Sequence, residues 1–113
     1  MKNKTNEILK ELSLDEKISL LTGTESMSTA GIERLGIQGK KMADGPHGVR
    51  KKDGSKDCTA FPNLCSVGAA WDTELVYKMG VSLAKECIFH DIDILLAPGV
   101  NIKRHILCGR NFE

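Results

Sequence analysis

Residues 92–99 form an apolar run that ends in a proline and a glycine: Ile92-Asp93-Ile94-Leu95-Leu96-Ala97-Pro98-Gly99. A nearly continuous apolar run of this length is typical of a parallel β-strand that is covered on both faces. Proline and glycine disfavour a further strand residue, so the sequence predicts that a loop begins where the strand ends.

The residues before this run predict a helix that begins at Asp72 or Thr73 and ends near His90. Its apolar face recurs every four residues and comprises Leu75, Met79, Leu83 and Cys87, joined by Val76, Gly80 and Ala84. Lys78, Lys85 and Glu86 are expected on the opposite, solvated face. Residues 41–43 predict a short strand that leads into Asp44. A strand, a loop, a helix and a strand without hairpin signals indicate the α/β class.

The N-terminal part of the chain predicts two helical segments within the first 22 residues. Ser13 and Glu16 match a capping box, and Thr22-Gly23 ends the second segment. Residues 24–38 predict a long connection. Residues 58–71 predict extended chain, with Trp71 packed as a hydrophobic staple against the helix that follows.

Size and charge limit the classes of function. The chain has 113 residues, so one domain is expected over residues 1–113. Lys and Arg total 16 against 15 Asp and Glu, and a net charge of +1 argues against a nucleic-acid partner. The sequence has no apolar stretch near the roughly 20 residues of a membrane span and no signal peptide. We therefore expect no membrane partner and a cytoplasmic location.

The four cysteines lie at positions 58, 65, 87 and 108 and form no Cys-x-x-Cys pair. Their wide and irregular spacing argues against a zinc site and against a disulfide scaffold. We expect free thiols in a reducing compartment, and neither a metal nor a cofactor.

Two polar segments are candidates for one binding pocket: Asp44-Gly45-Pro46-His47-Gly48-Val49-Arg50 and Gly109-Arg110-Asn111. A ligand rich in hydroxyl groups needs fixed carboxylate acceptors and guanidinium donors, and glycines let such a ligand approach the backbone. An aspartate in an Asp-Gly-Pro turn can also simply cap its own backbone, and Arg110 can be an ordinary surface arginine.

Other charged residues have simpler interpretations, and Trp71 can stack on a sugar as the alternative to packing as a staple. His47 can line the pocket or be a spectator in its loop, and His90 is expected to complement the dipole of its helix. Asp44 and Glu113 could be read as the carboxylate pair that glycoside cleavage requires, but nothing in the sequence fixes their separation.

Several motifs along the chain can be taken together in their order. They are Leu14-Asp15-Glu16-Lys17-Ile18, Asp44-Gly45-Pro46-His47-Gly48-Val49-Arg50, Phe61-Pro62, Ala69-Ala70-Trp71-Asp72, Leu96-Ala97-Pro98-Gly99-Val100-Asn101-Ile102 and Cys108-Gly109-Arg110-Asn111-Phe112-Glu113. The series covers the whole chain and resembles the start of glycoside hydrolase family 3, in particular its bacterial β-glucosidases without a signal peptide.

The resemblance implies a fold and an activity. The fold is the N-terminal portion of a TIM-barrel-like (β/α)8 domain, incomplete in this chain, with an α/β sandwich domain to follow. The activity is the removal of terminal β-linked glucose, with retention, from an oligosaccharide or an aryl or alkyl glucoside. The resemblance implies that Asp44 and Arg110 bind the sugar and that Arg50 and Glu113 have supporting roles.

The same resemblance places the catalytic residues outside these 113 residues. The family's nucleophile is an aspartate in a Ser-Asp-Trp-like motif that this sequence lacks. Its acid/base glutamate belongs to the second domain. We therefore expect the 113-residue chain to be inactive and marginally stable alone, because the remainder of the barrel is needed. The alternatives are a sugar-binding remnant without catalysis, or a β-xylosidase or arabinosidase of the same family.

Overall fold

The structure is a computed structural model that describes residues 2–25, 27–51, 57–100 and 102–111. The chain divides into two compact units, Met1–Lys41 and Met42–Glu113, which are considered separately below. The single domain expected over residues 1–113 stays a prediction. Among the helices in the described residues, none is both long and apolar enough to span a membrane.

The first unit begins with two helices, α1 (Lys2–Glu11) and α2 (Leu14–Leu20). The predicted capping box of α2 is confirmed. The Ser13 backbone N–H donates to Glu16 Oε2 at 2.8 Å, and the Glu16 N–H donates to Ser13 Oγ at 3.2 Å. These two bonds satisfy backbone donors that the first turn of a helix leaves open, which explains why the helix begins after Ser13.

Glu16 also binds Arg34, which lies in the 3-10 turn Glu33–Leu35. The Arg34 Nε donates to Glu16 Oε1 at 2.6 Å, and an Arg34 terminal nitrogen donates to the Glu11 carbonyl at 2.8 Å. The hydrogen bond from Arg34, followed by the backbone bond from Ser13, lowers the pKa of Glu16 to about 2. One carboxylate thus ties the start of α2 to the 3-10 turn.

This pair gives a prediction for the pH dependence of the first unit. Because the pKa of Glu16 falls on folding, its contribution to stability is present above the ordinary pKa of 4.5 and is lost as the pH falls toward about 2. Arg34→Ala should move the pKa of Glu16 part of the way back to 4.5, since the Ser13 bonds remain. An NMR titration of the Glu16 carboxyl carbon measures this. An unchanged pKa in the Arg34 variant, or an equal change in Arg104→Ala, contradicts the prediction.

The connection expected over residues 24–38 contains regular structure that the sequence did not predict. β1 (Gly23–Glu25) and β2 (Ser28–Thr29) pair antiparallel, with Gly23 opposite Thr29. The 3-10 turn follows β2 and ends at Gly36, whose φ of 65° suits glycine. The sequence there has no Asn-Gly or Asp-Gly turn and no apolar alternation, so it lacks the usual signals of a hairpin.

The second unit contains a parallel pair of strands, as the sequence predicted. β3 (Met42–Asp44) pairs with β4 (Ile94–Leu96), so that Asp44, the last residue of β3, lies opposite Leu96. Between the strands lie two helices, α3 (Leu64–Ala69) and α4 (Thr73–Phe89). The bounds of α4 agree with the prediction: Asp72 Oδ1 accepts from the Leu75 N–H at 2.9 Å, and His90 is the C-terminal cap.

Two predictions for residues 58–71 were wrong. The segment is not extended throughout, because α3 begins after Asn63, whose Oδ1 accepts from the Ser66 N–H at 2.8 Å. Trp71 does not act as a hydrophobic staple, since the residue is 92% exposed. Its φ of 51° lies in the left-handed region, at the turn between α3 and α4.

The core of the second unit is small. Ala43 of β3, Val49 and Cys87 of α4 are buried together, and Leu83 and Leu95 pack partly against them. Ile94 and Leu96 of β4 remain 41% and 44% exposed. The apolar face of α4 also lines an open groove with β4, formed among others by Val76, Met79, Leu83 and Leu95. Much of the apolar surface that the sequence marked for burial is therefore uncovered in the described residues.

Candidate functional site

A polar cleft lies where β3 and β4 end. Its volume is about 480 Å³, within the range of roughly 300–1,000 Å³ that is usual for sites of small molecules. Its described lining consists of residues 44–50, residues 58–60, Leu96, Pro98, Gly99 and Arg110. In α/β folds, ligands bind outside the carboxyl ends of parallel strands, so this position in the sheet is that of a ligand site.

Asp44 is fixed by the strand that it ends and by the loop that follows. Its backbone carbonyl accepts from the Arg50 N–H at 2.8 Å, which closes residues 45–49 into a tight loop. The loop is held at its other side by Phe61, whose N–H donates to the His47 carbonyl at 2.7 Å. The half-buried carboxylate of Asp44 therefore lines the cleft from a rigid support.

Two glycines are required by the packing of this loop. Gly48 has a φ of 136°, and a Cβ at this position would collide with the carbonyl oxygen of Thr59. Gly45 is buried, and a Cβ there would collide with the side chain of Leu95 in β4. The backbone of residues 45–48 thus lies directly against two neighbouring segments, and only glycine allows that approach.

Arg110 lines the same cleft from a loop near the end of the described chain. Its carbonyl accepts from Lys103 Nζ at 2.8 Å. The next residue, Asn111, donates its side-chain amide to the carbonyls of His105 and Ile106 at 3.2 and 2.9 Å. These bonds fold residues 103–111 back on themselves and hold the backbone at the exposed Arg110.

The structure thus brings four of the five candidate site residues to one cleft. Asp44, His47, Arg50 and Arg110 all line it, and Arg50 also closes the loop through its backbone, in line with a bracing role. The fifth candidate, Glu113, lies outside the described residues. Whether these side chains contact a sugar stays a prediction.

One wall of the cleft was not predicted from the sequence. Cys58, Thr59 and Ala60 line it, and the Thr59 N–H donates to both carboxylate oxygens of Glu86 at 3.1 and 3.2 Å. Glu86 was expected on the face of α4 opposite the apolar one, and from its place on the helix its carboxylate holds Thr59 through these two bonds. No local pattern links residues 59 and 86, so the sequence offered no signal for this contact.

The chemistry of the lining is that of binding. Asp44 is the only carboxylate among the described residues of the cleft, while Arg110 and Arg50 offer guanidinium donors. A carboxylate accepts from two hydroxyl groups and a guanidinium donates to several oxygens. Cleavage of a glycosidic bond requires a pair of carboxyl groups. The described lining can therefore hold a polyhydroxylated ligand but has one acid too few to cleave it.

One protein-family model matches nearly the whole chain. The model of the glycosyl hydrolase family 3 N-terminal domain matches residues 5–113. The chain belongs to glycosyl hydrolase family 3. The parallel pair β3–β4 is therefore part of a TIM-barrel-like (β/α)8 domain, as the sequence predicted, and the cleft lies at the end of the barrel where such enzymes bind ligands.

Similar proteins agree with this assignment. The chain is 44% identical to thermostable β-glucosidase B of Acetivibrio thermocellus, over 94% of this chain and 15% of that protein. It is 40% identical to an exo-alpha-(1->6)-L-arabinopyranosidase of Bifidobacterium breve, over 100% of this chain and 16% of that protein. The chain thus spans about a sixth of the length of these curated relatives.

Solved structures of family 3 enzymes share the fold. The structure of β-glucosidase 3B from Thermotoga neapolitana in complex with glucose superposes with a TM-score of 0.86 and 34% identity, over 97% of this chain and 18% of that chain. A β-glucosidase from Kluyveromyces marxianus in complex with glucose gives a TM-score of 0.82 and 37% identity, over 88% of this chain and 12% of that chain.

Proposed function

We propose that the protein carrying this family 3 chain removes terminal non-reducing β-D-glucosyl residues, with retention of configuration, and that this chain supplies part of its glucose site. The observation that carries the proposal is the placement of Asp44 and Arg110 on one cleft at the carboxyl ends of β3 and β4. β-Glucosidases among the relatives support the choice of sugar.

The two side chains have complementary roles in this proposal. Asp44 accepts hydrogen bonds from two neighbouring hydroxyl groups of the sugar, and Arg110 donates to a third. Both bonds are charge-assisted and therefore stronger than those between neutral groups. The backbone of Asp44 is held by strand pairing and that of Arg110 by the bonds of the 103–111 loop, so the ligand meets a backbone that is already in place.

The cleavage step belongs to residues outside this chain. A retaining glycosidase needs a nucleophile and an acid/base with carboxyl groups about 5–5.5 Å apart. Asp44 is committed to hydroxyl binding in the proposal, and no second carboxylate lines the described part of the cleft. The substrate is a β-linked oligosaccharide or an aryl or alkyl glucoside, and the 113-residue chain alone is expected to be inactive.

A second candidate is supported by the relatives that are arabinopyranosidases. An arabinopyranoside lacks the hydroxymethyl group that a glucoside carries, so the two sugars differ in what they require of the far end of the cleft. Comparing kcat/KM for an aryl β-D-glucoside and an aryl α-L-arabinopyranoside decides between them. A higher value for the arabinopyranoside overturns the glucosidase proposal in favour of the second candidate.

The proposal predicts the effect of removing Arg110. Arg110→Ala should lower kcat/KM for an aryl β-D-glucoside by about 10–100-fold, because a hydrogen bond from a charged group contributes about 1.5–3 kcal/mol. Arg104→Ala is the matched control, since Arg104 is exposed in the same loop but does not line the cleft, and it should change kcat/KM less than twofold. Equal losses in both variants would show that Arg110 acts only through the loop.

Two further outcomes bear on the proposal. If calorimetry shows that the protein binds glucose but no glycoside is hydrolysed, the chain is part of a sugar-binding protein without catalysis. A cytoplasmic location belongs to the same proposal and is supported by the four free thiols at Cys58, Cys65, Cys87 and Cys108. Activity found in a secreted fraction contradicts that location.

A further inference from the structure

Three side chains beside the sugar cleft form a cluster with three kinds of ligand atom. A carboxylate oxygen of Asp57, the sulfur of Cys58 and an imidazole nitrogen of His90 all lie within 4.8 Å of one another. Asp57 and Cys58 come from the segment before α3, and His90 ends α4, so tertiary packing alone brings the three together. We call these three residues the Asp57 cluster.

The scaffold fixes two members of the cluster. The His90 N–H donates to the Glu86 carbonyl at 3.0 Å, and its ring meets Phe89 edge-on at 4.9 Å between centroids. Cys58 is half-buried and packs against the core formed by Ala43, Val49 and Cys87. Because the backbones at Cys58 and His90 are held, a ligand of the cluster meets groups that are already near one another.

Asp57 also forms an ion pair with Lys51, so a bound cation and Lys51 would contact the same carboxylate. Lys51 Nζ contacts both of its carboxylate oxygens, at 2.9 and 3.0 Å. A carboxylate has about four lone-pair sites, so Asp57 can keep Lys51 and still offer a lone pair toward Cys58 and His90. The Asp57 side chain is 57% exposed, so a cation in solvent can reach its carboxylate.

The combination of ligand atoms indicates which metal ions the cluster can bind. Sulfur, imidazole nitrogen and carboxylate oxygen together suit Zn²⁺ and its substitute Co²⁺, whereas Mg²⁺ and Ca²⁺ take oxygen ligands. Zinc bond lengths of about 2.0–2.3 Å put tetrahedral ligand atoms roughly 3.5 Å apart. The ligand atoms of Asp57, Cys58 and His90 lie within 4.8 Å of one another, so their separations need to shrink by about 1 Å at most. A thiolate and a carboxylate also neutralise the two charges of the ion.

We propose that Asp57, Cys58 and His90 bind a zinc-like divalent cation, with water as the fourth ligand. Binding displaces the thiol proton of Cys58 to solvent and joins the end of α4 to the cleft wall of Cys58, Thr59 and Ala60. Cys87 is outside the ligand set, since its sulfur is not among the three ligand atoms that lie within 4.8 Å of one another.

This site differs from the zinc sites that cysteine spacing reveals. The expectation of no zinc rested on the absence of a Cys-x-x-Cys pair, whereas the Asp57 cluster uses one cysteine and takes its histidine from 32 residues further along the chain, counting from 58 to 90. The proposal goes beyond the hydrolase function, because it concerns residues that are not assigned to sugar binding or cleavage.

A cobalt titration tests the proposal in the protein that contains this chain, after treatment with a chelator. Co²⁺ should bind with one equivalent and give a thiolate-to-cobalt charge-transfer band in the near ultraviolet. Cys58→Ser should abolish the band. His90→Gln should weaken Co²⁺ binding by more than tenfold, because even changes around the ligands of a metal site cost about 10–100-fold in affinity.

Matched controls come from the same chain. Cys108→Ser and His105→Gln alter an exposed thiol and an imidazole outside the cluster, and both variants should keep the band and the affinity. A band that survives Cys58→Ser, or unchanged affinity in folded His90→Gln, overturns the proposal, as does the absence of any band. Circular dichroism verifies that each variant is folded, and the readout does not depend on hydrolysis.

Discussion

Asp44→Ala is expected to lower kcat/KM for an aryl β-D-glucoside by about 100- to 10,000-fold. Hydrogen bonds to charged groups contribute about 1.5–3 kcal/mol each, two of them give about 3–6 kcal/mol, and about 1.4 kcal/mol corresponds to tenfold. The loss is large because the described lining of the cleft holds no second carboxylate that could accept these bonds. Steady-state kinetics of the protein that carries this chain measure the effect.

A conservative variant and a control separate binding from folding. Asp44→Asn keeps the shape of the side chain and one acceptor oxygen, so its loss should be smaller than that of Asp44→Ala. Asp15→Asn changes an exposed acid of α2 and should leave kcat/KM within twofold of the parent protein. If folded Asp44→Ala keeps the kcat/KM of the parent protein, Asp44 does not bind the sugar.

Gly48→Ala is expected to destabilise the protein by about 3–5 kcal/mol. A non-glycine residue in a sparsely populated backbone region costs about 1–3 kcal/mol, and the added Cβ must also displace the carbonyl of Thr59. The Thr59 carbonyl cannot yield easily, because the Thr59 N–H is held by Glu86 and the next residues are held through Phe61 and His47. Urea unfolding gives the change in free energy.

Gly80→Ala is the matched control for this substitution. Gly80 lies in α4, has an ordinary helical conformation, and an added Cβ there would meet no described atom within 4 Å. Alanine is favoured over glycine in a helix interior by about 0.5–1 kcal/mol, so this variant should be slightly more stable than the parent. If Gly48→Ala and Gly80→Ala change the free energy of unfolding by the same amount, glycine is not required at position 48 for the close approach to Thr59.

Local patterns were sufficient for the elements whose ends carry their own signals. Ser13 and Glu16 mark the start of α2, and Asp72 marks the start of α4 through a bond to a backbone N–H three residues later. The run at residues 92–97 contains β4, which pairs parallel with β3 as expected. Each of these signals lies within a few residues of the element that it predicts, so no knowledge of the tertiary structure was needed.

The features that the sequence did not predict are ones that side-chain periodicity does not describe. β1 and β2 form from polar residues through backbone pairing, and α3 begins at Asn63 within a segment that reads as extended. Trp71 has a positive φ and is exposed. Side-chain periodicity carries little information about strand pairing between polar residues, a single capping residue or a backbone angle.

Local patterns and motif order were enough to predict the family, helices α2 and α4, the parallel strand β4, and Asp44 and Arg110 as candidate ligand contacts. Only the tertiary structure decided that these two residues share a cleft, that Glu86 holds Thr59 in its wall, and that Asp57 and Cys58 meet His90. The physical reason is distance along the chain. Capping and periodicity act over three or four residues, whereas contacts between residues about 30 to 66 positions apart exist only once strands and helices have packed.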